Sequence, residues 1–321
     1  MAHPLPTWTP PTPTRLQRFR QNPTAFVATW LYSCRPRPSL PSVHDVAAGP
    51  QAITVVCLSD THNTRPPVPD GDLLLHAGDL TNGGSFQELQ DQLDWLSSLP
   101  HPHKVVIAGN HDRLLDQDFL DRFPDKICET EGASRADLNW HDLHYLCHAS
   151  KTLRFANGRR LTIFGSPQTP LCGTFAFQYP PIRDVWADAV PPDTDILLTH
   201  GPPRAYLDMN GKGCPHLLRE IRKKRPPLVV FGHIHAGHGI QEIAYGGLEG
   251  AYQRIMADEG NWAVVLGMVF WLLLSWSKTL VPSALLSSRA EKNGKLRGRM
   301  VNAAMGGCND QKQYPATVIQ M

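Results

Sequence analysis

The sequence lacks any C-x-x-C pair, and its cysteines (Cys34, Cys57, Cys128, Cys147, Cys172, Cys214 and Cys308) are odd in number. A disulfide framework and a thiolate zinc site are therefore not expected, and a reducing, cytoplasmic compartment fits. The chain also has no excess of one charge: 31 Lys and Arg stand against 29 Asp and Glu. Without a basic patch or stripe there is no footprint for a nucleic-acid polymer. No repeat of about 20–50 residues recurs, so a solenoid is not expected. A signal-peptide h-region is missing, since the apolar stretch 25–32 is short and follows Arg15, Arg18 and Arg20. The first thirty residues carry no acid, which leaves a presequence open.

What is present divides the chain in two. Residues 1–50 are rich in Pro, Thr and Arg and read as a mostly disordered arm. A short amphipathic piece around Leu16–Tyr32 could dock on the rest. From Ile53 onward, short apolar runs alternate with helical patterns: Ile53–Leu58, Asp72–His76, Lys104–Ala108, Asp195–Thr199 and Pro227–Phe231 read as buried strands. Ser85 opens a helix reaching Leu99, residues 215–224 give another, and residues 150–166 form a hairpin around Asn157-Gly158. Residues 300–304 and 316–321 are expected as late edge strands. Strands alternating with helices make this an α/β domain, 51–321.

The polar residues behind these strands are metal-ligand types. Asp60-Thr-His62, Gly78-Asp79, Gly109-Asn110-His111-Asp112, His200-Gly201 and Gly232-His233-Ile-His235 each follow their own strand. The carboxyl ends of strands form the ligand crevice of an open α/β sheet. Residues i and i+2 of a strand end point to the same side, so Asp-x-His and His-x-His can each reach one ion. The neighbouring glycines let backbone approach. Oxygen and imidazole donors without thiolate suit Mn, Fe or Zn. Any block alone is an ordinary turn; five in one fixed order, each behind a strand, are a site.

This order resembles the calcineurin-like metallophosphoesterase superfamily. Longer stretches (Gly71–Asp79, Lys104–His111, Phe164–Pro170, Asp195–Pro203 and Val230–His235) resemble its branch of fetal-brain metallophosphoesterase-domain proteins. The resemblance covers about 51–245 and resumes at 300–304. It implies a four-layer α/β/β/α sandwich of two mixed sheets with two divalent cations at a sheet edge. Asp60, His62 and His235 would hold the first, Asn110, His200 and His233 the second, and Asp79 would bridge them. Some members of that branch have Gly where this chain has His233, so a full second site is implied here. His111 would face the scissile phosphate, oriented by Asp112; an N-cap for the following helix is the other reading of Asp112. Such a site activates water for in-line attack on phosphorus. The expected activity is hydrolysis of a small phosphodiester, a cyclic nucleotide among the choices. A phosphomonoesterase, or a metal-binding scaffold with little turnover, are the alternatives.

Residues 262–276 are almost wholly apolar within a stretch, 250–298, that interrupts the domain. A membrane crossing needs about 20 such residues and would strand 300–304 on the far side. A helical insertion is expected instead, touching a membrane surface or partner through 262–281, or packed on the domain. His141, His144 and His148 share helical spacing without a strand-end context and read as surface histidines. His76 reads as core and His238 as rim.

Overall fold

The computed structural model describes residues 13–36, 51–126, 134–209, 211–279, 297–306 and 313–321. Its helices are α1 (Arg15–Gln21), α2 (Pro23–Ser33), α3 (Phe86–Ser98), α4 (Gln117–Arg122), α5 (Pro215–Lys224), α6 (Gly247–Met256) and α7 (Trp262–Thr279). Its strands are β1 (Thr54–Leu58), β2 (Leu73–His76), β3 (His103–Val106), β4 (His144–Tyr145), β5 (Ala149–Arg154), β6 (Arg160–Ser166), β7 (Thr169–Pro170), β8 (Gln178–Tyr179), β9 (Ile196–Thr199), β10 (Leu228–Phe231), β11 (Gly239–Ala244), β12 (Arg297–Asn302) and β13 (Thr317–Gln320).

The strands build two mixed sheets, ordered β13-β1-β2-β3-β4 and β11-β12-β10-β9-β6-β5, beside a small β7-β8 pair. The inner strands are parallel, while β13, β11 and β5 run antiparallel at edges. Side chains alternate across each strand, so every inner strand feeds two cores. Val55, Cys57, Leu75 and Ile107 face Ile163, Ile196, Leu198 and Val230 between the sheets. Val56, Leu74 and Val106 face Leu89, Leu93 and Leu96 of α3 outside the first sheet. Leu197, Val229 and Phe231 face α5, α6, α7 and α2 outside the second. The result is the four-layer α/β/β/α sandwich. Apolar runs were legible as strands because they are buried on both faces.

Local chemistry sets the helix ends. Ser85 and Glu88 form a capping box on α3, and α5 starts on Pro215 and ends at left-handed Arg225. The hairpin of β5 and β6 turns at Gly158, φ +82°. One expectation is corrected: β12 is not an edge strand, because it sits between β10 and β11. None of the described cysteines is paired.

Within the first fifty residues, α1 and α2 are the described part. Helix α2 packs through Ala28, Leu31 and Tyr32 on α6 and α7. Tyr32 stacks on Tyr252 at 4.0 Å. The hydroxyls of Tyr32 and Tyr206 both donate to Glu249, 2.5 Å each, and burial pushes that carboxyl's pKa up. Helix α7 buries Val265 and Met268 in the same outer core. No described helix is long and apolar enough to cross a membrane.

Candidate metal centre

The ends of β1, β2, β3, β9 and β10 carry the candidate ligands to one rim. They gather in two groups, Asp60 with His62 and His235, and Asp79 with His200 and His233. Within each group the donor atoms lie within 4.8 Å of one another. Asp79 Oδ2 is 3.3 Å from His200 Nε2 and 3.8 Å from His62 Nε2, so this carboxylate lies between the groups. Asn110 Oδ1 is 3.0 Å from His200 Nε2. The donor set is oxygen and imidazole, buried or nearly so, and it fits two divalent cations.

Strand alternation is not what aims these side chains. Asp60, His62, Asp79 and His233 all have left-handed backbone, φ 56°, 44°, 53° and 66°. His235 opens a 3-10 turn, and His233 and His235 go to different groups. Left-handed non-glycine residues cost energy and persist where surrounding structure forces them, as at functional sites. The glycines serve the ligands rather than an ion. A Cβ on Gly232 would stand 2.1 Å from Asp60 Oδ2, and one on Gly109 would stand 2.2 Å from Asp79 Oδ1. Gly232→Ala is therefore expected to push Asp60 off its group and weaken metal binding by about 10–100-fold, the scale of losing a supporting contact. Chelator competition measures this, and wild-type affinity in the variant would refute it.

Charge is arranged for cations. Burial pushes Asp60 up, but the hydrogen bond from His235 and the charge of His200 hold its pKa at about 2. Burial likewise opposes ionisation of Asp79, yet His200, His111 and His62 hold it well below the usual carboxylate range. Burial pushes His233 down to about 4, so it offers a lone pair at neutral pH. For His200, burial lowers the pKa but Asp79 and Asp60 outweigh it and raise the value to about 9. A cation between Asp79 and His200 would take the place of that proton.

His111 lies beside the ligands and belongs to neither group. Its Nδ1 is 2.8 Å from the Asn82 carbonyl; a carbonyl only accepts, so Nδ1 carries a proton and Nε2 faces outward chemistry. Its backbone N–H donates to Asp79 Oδ1 at 2.8 Å. Asp112 does not orient this ring, nor does its side chain cap the next turn. Its buried carboxylate accepts from the backbone N–H groups of Leu80, Thr81 and Gly109 and from the Thr81 hydroxyl. Asp112 thus ties the Asp79 loop to the Asn110 loop, while burial and the charge of Asp79 push its pKa up to about 6.

Three residues escaped the sequence. Asn82 orients His111 through backbone, which no side-chain pattern announces. Phe175 stands 4.9 Å from the His111 ring, on a loop tied to the rim by the Ala176 N–H bond to Asn110 O. Asn302 donates to the carbonyls of Ile234 and Leu207; a polar residue in the middle of the otherwise apolar run 300–304 was its signal. Asn63 donates to Glu88 at 2.6 Å. His141 pairs with Asp94 and His148 contacts Ser166, so the spaced histidines do not converge. His76 is buried against Thr61, and His238 stacks on Tyr314.

The calcineurin-like phosphoesterase family model matches residues 53–237, a span containing both ligand groups. A probable rhamnogalacturonate lyase C of Emericella nidulans is 41% identical over 247 residues, covering 76% of this chain and 22% of that protein. Metallophosphoesterase domain-containing protein 1 of Homo sapiens is 35% identical over 230 residues, covering 62% of this chain and 66% of that protein. The match thus spans about a fifth of the first relative and just under two thirds of the second. The crystal structure of the protein TT1561 of Thermus thermophilus aligns with a TM-score of 0.40 at 15% identity, over 61% of this chain and 86% of that one.

Proposed function

The chain belongs to the calcineurin-like phosphoesterase family, and on that premise we propose that it is a metal-dependent phosphodiesterase. In this reading Asp60, His62 and His235 would hold one divalent cation and Asn110, His200 and His233 the other, with Asp79 between the two groups available to both. Two such cations, Mn, Fe or Zn by donor type, supply positive charge for phosphoryl oxygens and a more acidic water. His111, as the imidazolium, would direct its Nε2–H at the leaving group and give it that proton, leaving the neutral ring with Nδ1–H still donated to the Asn82 carbonyl that keeps it aligned.

One observation favours a diester over a monoester. Among the described residues, Asp60 and Asp79 pair with histidines, and no Lys or Arg is among the strongest charge effects on either. A phosphomonoester dianion carries one more negative charge than a diester, and among the described residues no guanidinium or ammonium pairs with those ligands; the Arg113 guanidinium lies farther out, 5.7 Å from the Phe175 ring centroid. Phe175 beside His111 offers an aromatic face on the leaving-group side. A nucleobase fits that face, so a cyclic nucleotide is the first natural diester to assay.

Turnover of bis-p-nitrophenyl phosphate and of p-nitrophenyl phosphate with Mn²⁺ tests the reading. The expected result is a diester preference of about tenfold or more, the scale of one unmet charge contact at a protein surface. A monoester preference turns the assignment to a phosphomonoesterase. Two bound ions with neither substrate turned over leaves a metal-binding scaffold.

A further inference from the structure

Helix α7 is apolar on both sides. Val265 and Met268 pack inward, while Trp262, Leu266, Phe270, Leu273 and Trp276 are each 51–70% exposed. Their spacing of three and four residues makes one stripe along the helix, and residues 262–277 contain no charged side chain. Trp30 of the adjoining α2 is 61% exposed. An apolar surface of this extent marks an interaction site.

Two further observations say what covers it. Tryptophans stand at both ends of the stripe with Leu and Phe between them, as in helices that lie in a membrane interface. Cationic groups also lie against the same helix, on the flank turned away from the stripe, since Trp271 stands two and a half turns from Trp262. Arg222, Arg225 and Arg254 line a pocket together with Trp271 of α7. Arg222 is paired with Glu259, whereas Arg225 and Arg254 make no ion pair among the described residues. Helix α6 opens on the same pocket at Gly247, with no side-chain cap on its first N–H groups. Residues 13–36, which hold α1 and α2, contain four arginines and no acid.

We propose that α7 docks on a lipid surface, its stripe among the acyl chains and the Arg225–Arg254 pocket on an anionic phospholipid headgroup. Arg225 precedes β10 and His233 follows it, so the headgroup pocket and the metal centre lie at opposite ends of that strand. The lipid is accordingly an anchor and not the substrate, and the proposal stands apart from the reaction assigned above.

Flotation of the full chain with phosphatidylcholine vesicles, with and without phosphatidylserine, tests it. The protein is expected to float with the serine-containing vesicles and far less with the neutral ones, and added salt is expected to weaken the difference. A basic residue at an anionic surface is worth about fivefold in partition, so Arg225→Ala with Arg254→Ala is expected to lower binding by roughly 25-fold. Leu266→Glu with Leu273→Glu is expected to abolish it while metal content stays at the wild-type level. If the glutamate variant fails to fold, the comparison of the two vesicle types on the wild type decides alone. Wild-type protein that floats with neither vesicle overturns the proposal. So does flotation unchanged in the glutamate variant, or a solution dimer that this variant converts to monomer, which would assign the stripe to a second copy of the chain.

Discussion

Asp79→Ala is expected to empty both cation sites at once. Its carboxylate lies between the clusters, 3.3 Å from His200 and 3.8 Å from His62. Its removal also deprives the His111 N–H of its acceptor, so the geometry of the third strand end loosens as well. Metal analysis should fall from about two ions per chain to none. Diesterase activity should drop by more than the ~10–100-fold that loss of an outer supporting contact costs. Thermal unfolding gives an independent readout. A cation at 100 times its Kd stabilises the wild type by about 2.7 kcal/mol per site, and the variant should show no such shift. A variant that retains two ions would end the assignment of Asp79 as the shared ligand.

His111→Ala should behave differently. The ring belongs to neither cluster, though it packs edge-on against that of His62 with 4.9 Å between centroids, so metal content should stay close to that of the wild type. The rate should fall by about 10²–10⁴-fold on a diester with an alkoxide leaving group, the usual value of a positioned acid. It should fall far less on a nitrophenyl diester, whose anion departs without a proton. That split is the signature of proton donation. Equal losses on both substrates would mean that His111 holds the phosphate rather than protonating the leaving group, and loss of metal would make it part of the ligand scaffold.

The two histidine-rich clusters were legible in the sequence because each block sits behind an apolar run, and such runs are forced to be neighbouring strands by burial on both faces. Asp112 shows where that logic stops. It is adjacent to His111 in the chain, but the backbone turns there, and its carboxylate folds inward to two N–H groups of the Asp79 loop and to that of Gly109 in its own loop. Adjacency in sequence says little about orientation once a segment leaves regular structure. The left-handed backbone at Asp60, His62, Asp79 and His233 was hidden for a related reason. These residue types do not demand that conformation, and no local pattern announces it. The interior place of β12 was also out of reach, since strand order depends on pairings across long stretches of chain and not on local pattern. Helices α2 and α7 could be read as apolar, but nothing local announces which of two apolar faces goes inward.

The course of β12 ties distant parts of the molecule together. It begins at Arg297, paired with Ala244 at the root of the helical outer layer, and ends at Asn302, which grips the carbonyl of Ile234 between His233 and His235. Six residues of extended chain therefore act as a taut cord, roughly 20 Å long at strand rise, from the base of α6 to the cradle of the cations. Slackening that cord at either end, by cutting the outer layer loose or by trimming Asn302, would detune a catalytic rim that neither change touches directly.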